Sequence, residues 1–269
     1  MFDLTLYHYN FQDGEERSDM NDVHAAMPPR RPARGREGDQ LVLVMHLESG
    51  SGLDKAAQTD ILRKLSDFYY NSRGTVTSAL RGVFDQLNDR LLARNMRPNR
   101  EGAPIIASLN AAVFRADMVF LAQAGSAHAF VLGKDRTAHF GESVFQGRGL
   151  GATRSVVVRY ERIAVQPENY LLLGTNPLAS WTEEALSGAG KLGLDALRRR
   201  LITQNKANLK FVVIKVQAGK GALRVSPLPG QGNIPAPTVL VAGIDPEKAV
   251  QLPTEPVIPE PGQPPAVVE

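Results

Sequence analysis

Residues 44–52 read VMHLESGSG, an apolar strand end that passes through His46 and Glu48 into a run of small residues just before a helical pattern opens at Leu53. From there Leu53, Ala56, Ala57, Ile61, Leu65, Phe68 and Tyr69 recur at spacings of three and four, which predicts an amphipathic helix over residues 53–71. Val76, Leu80, Val83, Phe84, Leu87, Leu91 and Leu92 predict a second, antiparallel helix over residues 75–95, with Asn71, Ser72 and Gly74 at the join. Upstream, a strand beginning at Asp22 is expected to pair with the strand that ends at His46, and Asp13-Gly14 is placed ahead of the first strand. Downstream, strands are expected over residues 105–115, 118–124, 127–132, 155–165, 170–175 and 209–216. Ala116-Asp117 and Gly125-Ser126 are short enough to close hairpins between the first three. Residues 181–201 read as helical segments broken by Gly188, Gly190 and Gly193. Strand pairs, two long helices and then a meander predict an α+β sandwich with helices outside rather than a βαβ repeat.

Composition narrows the function classes. A 269-residue chain that is 43% hydrophobic can fill a sizeable core. A net charge of +3 and an aromatic content of 6% supply neither the field nor the stacking platforms that nucleic acid would need. The absence of cysteine excludes disulfides, thiolate metal sites and a cysteine nucleophile. Met1 leads into a polar, acidic stretch, and no apolar run approaches the ~20 residues of a membrane helix, so a cytoplasmic location is expected.

Eleven of the 18 prolines lie from Pro227 onward. Residues 1–224 are therefore read as one domain and 225–269 as a Pro-rich linker or tail, in which only residues 238–244, TVLVAGI, have strand character. His8, His24, His46, His128 and His139 lack HxxxH or HxH spacing and read as structural or surface residues. Arg30, Arg31, Arg34 and Arg36, set among Pro28, Pro29 and Pro32, read as a solvated loop or as a contact for an acidic partner or phospholipid.

Three segments fall in a telling order: residues 44–52, residues 171–178 (LLLGTNPL) and residues 207–216 (ANLKFVVIKV). They resemble signature segments of the PPM, or PP2C-type, serine/threonine protein phosphatases, which read roughly VADGMGG, LLCSDGL and DNITVVVV. Residues 120–132, FLAQAGSAHAFVL, are similar to the family's VANVGDSRAVL with Ser126 for Asp and His128 for Arg, and Gly149-Leu150-Gly151 is similar to its RALG. Arg17, Asn21 and Asp22 fall where the family has Arg, Glu and Asp. The resemblance covers about residues 10–217 and implies a PP2C-like α-β-β-α sandwich of two mainly antiparallel sheets flanked by helices, with the Pro-rich tail outside it.

The family's chemistry rests on two Mn²⁺ or Mg²⁺ ions bridged by a hydroxide. Hard divalent cations need oxygen ligands, preferably anionic, both to bind and to offset their mutual repulsion. Here His46, Asn176 and Ala207 stand where the family has aspartates and Asn21 where it has glutamate, so Asp22 is the one matched acidic ligand position retained. Leu47 replaces a glycine whose carbonyl approaches a metal, and Pro177 the glycine of the SDG turn. The resemblance thus implies no catalytic residue and no cofactor. The expected function is that of a bacterial-type pseudophosphatase, a signalling module that binds a phosphorylated or acidic protein segment with Arg17 as the phosphate contact. Two rival readings stand beside it: an active Mn- or Mg-dependent phosphoprotein phosphatase with non-standard ligands, and a structural spacer whose Pro-rich tail carries the interactions.

Overall fold

Along the first strand, β1 (Phe2–Gln12), Phe2, Leu4, Leu6 and His8 are buried while Asp3, Thr5 and Tyr7 between them are half-buried, so one face of the strand turns inward. This strand precedes Asp13-Gly14, which corrects the expectation that those residues stand ahead of the first strand. The structure, a computed structural model, describes residues 1–12, 15–17, 19–48, 53–97, 103–141, 148–175, 181–202 and 208–226. After β1 come β2 (Glu15–Glu16), β3 (Val23–Ala26), β4 (Gln40–Leu47), α1 (Lys55–Asn71) and α2 (Val76–Asn95). Then follow β5 (Ala107–Arg115), β6 (Met118–Ala124), β7 (Ala127–Leu132), β8 (Thr137–Phe140), β9 (Arg159–Ala164) and β10 (Tyr170–Thr175). The last elements are α3 (Glu183–Leu186), a 3-10 turn (Ala189–Lys191), α4 (Leu194–Ile202), β11 (Leu209–Ala218) and β12 (Leu223–Ser226).

The strands form two sheets, one in the order β12-β1-β11-β10-β7-β8 with β2 paired to β1, the other in the order β3-β4-β5-β6-β9. All pairings are antiparallel except β1 with β12. Three apolar layers hold four layers of structure together. Leu4, Leu6, Val42, Val44, Leu121, Val212 and Ile214 fill the space between the sheets. Ile61, Leu65, Tyr69, Leu80, Phe84 and Leu87 press the inner faces of α1 and α2 onto Leu41, Leu43, Leu109 and Val113. On the opposite side Trp181, Leu186, Leu197 and Leu201 cover Tyr9, Phe130 and Phe211. The result is the expected α+β sandwich of two mainly antiparallel sheets between helices.

Both long helices begin where their caps dictate. The Asp54 carboxylate accepts from Ala57 N, and the Thr75 hydroxyl accepts from Ser78 N, each satisfying a first-turn donor that has no helical partner. The strand expected over residues 155–165 forms only from Arg159, and the one expected from Ile105 starts at Ala107. β1, β2, β8 and β12 were not expected. The boundary placed at Arg224 falls inside β12, which pairs Leu223–Ser226 with Leu4–Tyr7 and buries Leu223 in the inter-sheet core.

Arg36 corrects the solvated reading of the arginine loop. Its side chain is 0% exposed. It donates to the α1–α2 turn carbonyls Ser72 O at 3.3 Å, Gly74 O at 3.1 Å and Thr75 O at 2.7 Å, the last of which also accepts from Ala79 N. Its guanidinium also lies 4.9 Å from the Tyr69 ring centre and 3.7 Å from Asp39, which itself binds Arg115 and Tyr69. Arg30, Arg31 and Arg34 are exposed as expected.

Candidate functional site

The inward rows of three strands change from apolar to polar at the same end of the sandwich. On β1 the row Leu4, Leu6 continues as His8 and Asn10; on β4 the row Val42, Val44 continues as His46; on β11 the row Ile214, Val212 ends at Lys210. Register brings these ends together, because His8 is opposite Val212 and Asn10 opposite Lys210. Asp22 joins them from the residue before β3, held by the bond from Met45 N to its carbonyl at 2.8 Å.

Asp22 is the centre of this cluster. Its side chain is 8% exposed, with His8 Nε2 at 3.2 Å from Oδ1 and Lys210 Nζ at 4.0 Å from Oδ2. Asn10 Oδ1 beside this pair is buried without a hydrogen-bond partner among the described residues. Burial pushes the Asp22 carboxyl up, but His8 and Lys210 outweigh it and hold the acid below its ordinary value. His46 is pushed the other way for a base: burial and the Lys210 charge lower it, opposed by Asp22 and Glu48. The cluster therefore holds one buried acid with His8 against one oxygen and the Lys210 ammonium near the other.

Outward, the cluster opens into a cleft of about 650 Å³ lined by Arg17, Asn21, Asp22, His46, Leu47 and Lys210, with the start of α1 along one wall. The recess behind it, between His8, Asp22, His46 and Lys210, has a volume of about 10 Å³. That is scarcely room for one water. The other acids of the cleft are engaged elsewhere: Asp19 with Lys55 Nζ at 2.6 Å, Asp54 as the α1 cap, and Glu48 with the Ser108 hydroxyl at 3.0 Å. Asn21 donates to Gln58. Arg17 stands at the rim, its side chain 50% exposed and 3.7 Å from Glu15.

The structure thus gathers Asn21, Asp22, His46, Leu47 and Arg17 at one cleft, while Asn176, Pro177 and Ala207 lie outside the described residues. Thr175 and Leu209, the nearest ends of β10 and β11, bracket those positions, and Thr175 lines the recess. The histidines expected to be scattered divide: His8 and His46 share this site, whereas His128 and His139 stack on each other at β7 and β8. His8, Asn10 and Lys210 were not singled out in the sequence. The period-two rows of β1 and β11 that end in them are the signal that could have found them.

Among the described residues no three His, Asp or Glu side chains converge so as to hold a metal ion. Nor, among them, is any helix long and apolar enough to cross a membrane.

No family model matches this sequence, and no curated protein matches it in sequence. Solved structures do match its shape. The S. agalactiae serine/threonine phosphatase is 12% identical over 81% of this chain and 100% of its own, with a TM-score of 0.56. PppA, a key regulatory component of T6SS in Pseudomonas aeruginosa, is 14% identical over 80% of this chain and 98% of its own, with a TM-score of 0.54. The PP2C phosphatase domain with a fragment of the regulatory domain of SpoIIE from Bacillus subtilis is 11% identical over 81% of this chain and 64% of that one, with a TM-score of 0.53. At such identities the likeness carries the fold, which is that of the PP2C-type phosphatases.

Proposed function

We propose that this chain uses the PP2C-type fold as a binding or regulatory module without a catalytic metal centre, a pseudophosphatase that takes a phosphorylated or acidic protein segment in its cleft. The observation that carries the reading is Asp22. It lies 3.2 Å from His8 and 4.0 Å from the Lys210 ammonium, so the acid that would recruit a metal already has a protein cation beside it. A metal arriving there would have to displace an ammonium group and enter beside neutral His46 and Asn21, which supply no anionic oxygen. Arg17 and Lys210 on the cleft wall support an anionic ligand, since a guanidinium can hold phosphate bidentately. In the same reading the folded domain closes with β12 at Ser226, and the Pro-rich segment follows it.

The rival reading, an active Mn- or Mg-dependent phosphatase, needs acidic ligands that the cleft does not offer among the described residues. One pair of assays separates the two. The full chain is expected to bind phosphoserine or phosphothreonine peptides without releasing phosphate in the presence of Mn²⁺, and Arg17→Ala to weaken binding about tenfold, the loss of one charge-assisted hydrogen bond. Turnover that depends on Mn²⁺ and disappears in Asp22→Asn would establish the rival instead. Unchanged peptide affinity in Arg17→Ala would remove Arg17 from the site.

A further inference from the structure

At the pole of the sandwich opposite the cleft, the β3–β4 loop packs on the α1–α2 turn. Buried Arg36 fastens the two through Ser72, Gly74 and Thr75, and Ala33 N donates to Tyr70 O at 2.7 Å. Pro28, Pro29 and Pro32 restrict the same loop further. Four arginines stand out from this braced scaffold, Arg30, Arg31 and Arg34 from the loop and Arg73 from the turn, and all four are exposed. Among the described residues none of them forms a salt bridge, whereas the neighbouring acids are engaged. Asp39 is buried against Arg115, and Glu37 accepts from Gly35 N at 2.8 Å. The face therefore carries cationic groups on a backbone whose ordering cost is already met by folding.

Charge is divided unevenly along the chain. Residues 1–226 hold 30 Lys and Arg against 23 Asp and Glu, a net +7, whereas residues 227–269 hold one lysine against five acids, a net −4. We propose that the arginine face is the docking surface of this chain's own acidic C-terminal segment, with Asp245, Glu247, Glu255 and Glu260 meeting Arg30, Arg31, Arg34 and Arg73. Reach is ample: 43 residues can span up to ~140 Å, and a domain of 226 residues is roughly 45 Å across. Covalent attachment gives the segment an effective concentration on the order of millimolar, which lets a few weak exposed ion pairs act together. The face holds no aromatic side chain on which bases could stack, which favours a polypeptide carboxylate over nucleic acid as its ligand. The contact must be salt-sensitive, because every charge in it is exposed. Docking here leaves the cleft open, so this inference is independent of the cleft's function.

The full chain, isotope-labelled for NMR, tests it. Replacing Asp245→Asn, Glu247→Gln, Glu255→Gln and Glu260→Gln together is expected to move the amide signals of residues 30–37 and 71–75. Raising salt in the parent should move them in the same direction, while signals of β10 and β11 stay in place. Reciprocally, Arg30→Glu, Arg31→Glu and Arg34→Glu together should move the signals of residues 245–260. Superimposable spectra at those residues in both variants would overturn the proposal. So would shifts of the arginine face that appear only when an acidic peptide is added in trans, since the surface would then belong to another protein.

Discussion

Contacts with His8 and Lys210 outweigh burial and hold the Asp22 carboxyl below its ordinary value in a nearly closed recess, and the other histidines show the converse. His128, 8% exposed on β7, is lowered to about 4 by burial, the neighbouring His139 and the charge of Arg159. A histidine held neutral in the fold contributes fully above its unfolded value near 6.5, and that contribution is lost as pH falls from there to about 4. His128 alone should therefore cost the fold roughly 3 kcal/mol across that window, with His46 and His24 adding in the same direction. Denaturant titrations of the parent and His128→Gln at pH 7 and pH 4.5 check this, and the variant should show the shallower loss. Asp22 acts at lower pH: its lowered value means that its contribution is present above about 3.9 and disappears only as pH falls through the folded value. Arg36 belongs to the same scale. Arg36→Met would leave Asp39 buried beside one fewer cation and take the guanidinium from the Ser72 and Gly74 carbonyls, so a loss of about 3–5 kcal/mol is expected in urea melts.

Among the elements, the two long helices and the hairpins of β5, β6 and β7 were legible because each has its own period and its own punctuation. Apolar spacing of three and four, followed by Asn71, Ser72 and Gly74, leaves no other reading of α1 and α2. β12 was not legible. Its four residues LRVS have no length or alternation to announce a strand, and it exists because the unpaired edge of β1 receives it. The site was half legible for a similar reason. Asp22, His46 and Asn21 could be matched through segments with a recognisable order, whereas His8, Asn10 and Lys210 become a cluster only once β1 lies beside β11. Arg36 was misread because four arginines in a proline-rich loop look alike in sequence, and only the α1–α2 turn distinguishes the one that meets its carbonyls. Ending the chain after Ala222 removes β12, exposes the edge of β1 and takes Leu223 out of the core. It should cost about 3 kcal/mol or more, whereas ending after Ser226 should leave the melting temperature near that of the parent. Thermal melts of the two truncations separate a strand that belongs to the domain from one that merely lies against it.

At the scale of the whole molecule, two mainly antiparallel sheets between helices give the fold of the PP2C-type phosphatases, with a cleft lined by Arg17, Asn21, Asp22, His46 and Lys210 at one end. The inter-sheet core stops at Leu6, Val44 and Val212, one step short of His8, His46 and Lys210. Those polar residues can vary without disturbing the packing beneath them. A working binuclear site is a cluster of carboxylates that repel one another until cations bind, so its stability climbs with metal. In the proposed reading the Lys210 ammonium stands beside Asp22 instead. The most direct measurement is the melting temperature of the full chain in chelator and in Mn²⁺ at concentrations up to millimolar, with Asp22→Asn alongside. A metal present at about 100 times its dissociation constant would add about 2.7 kcal/mol, or roughly 5–10 °C for a domain of this size. The account predicts that the parent melts at the same temperature in both solutions. A rise of several degrees with Mn²⁺ that is absent in Asp22→Asn would contradict it and make this cleft a metal centre.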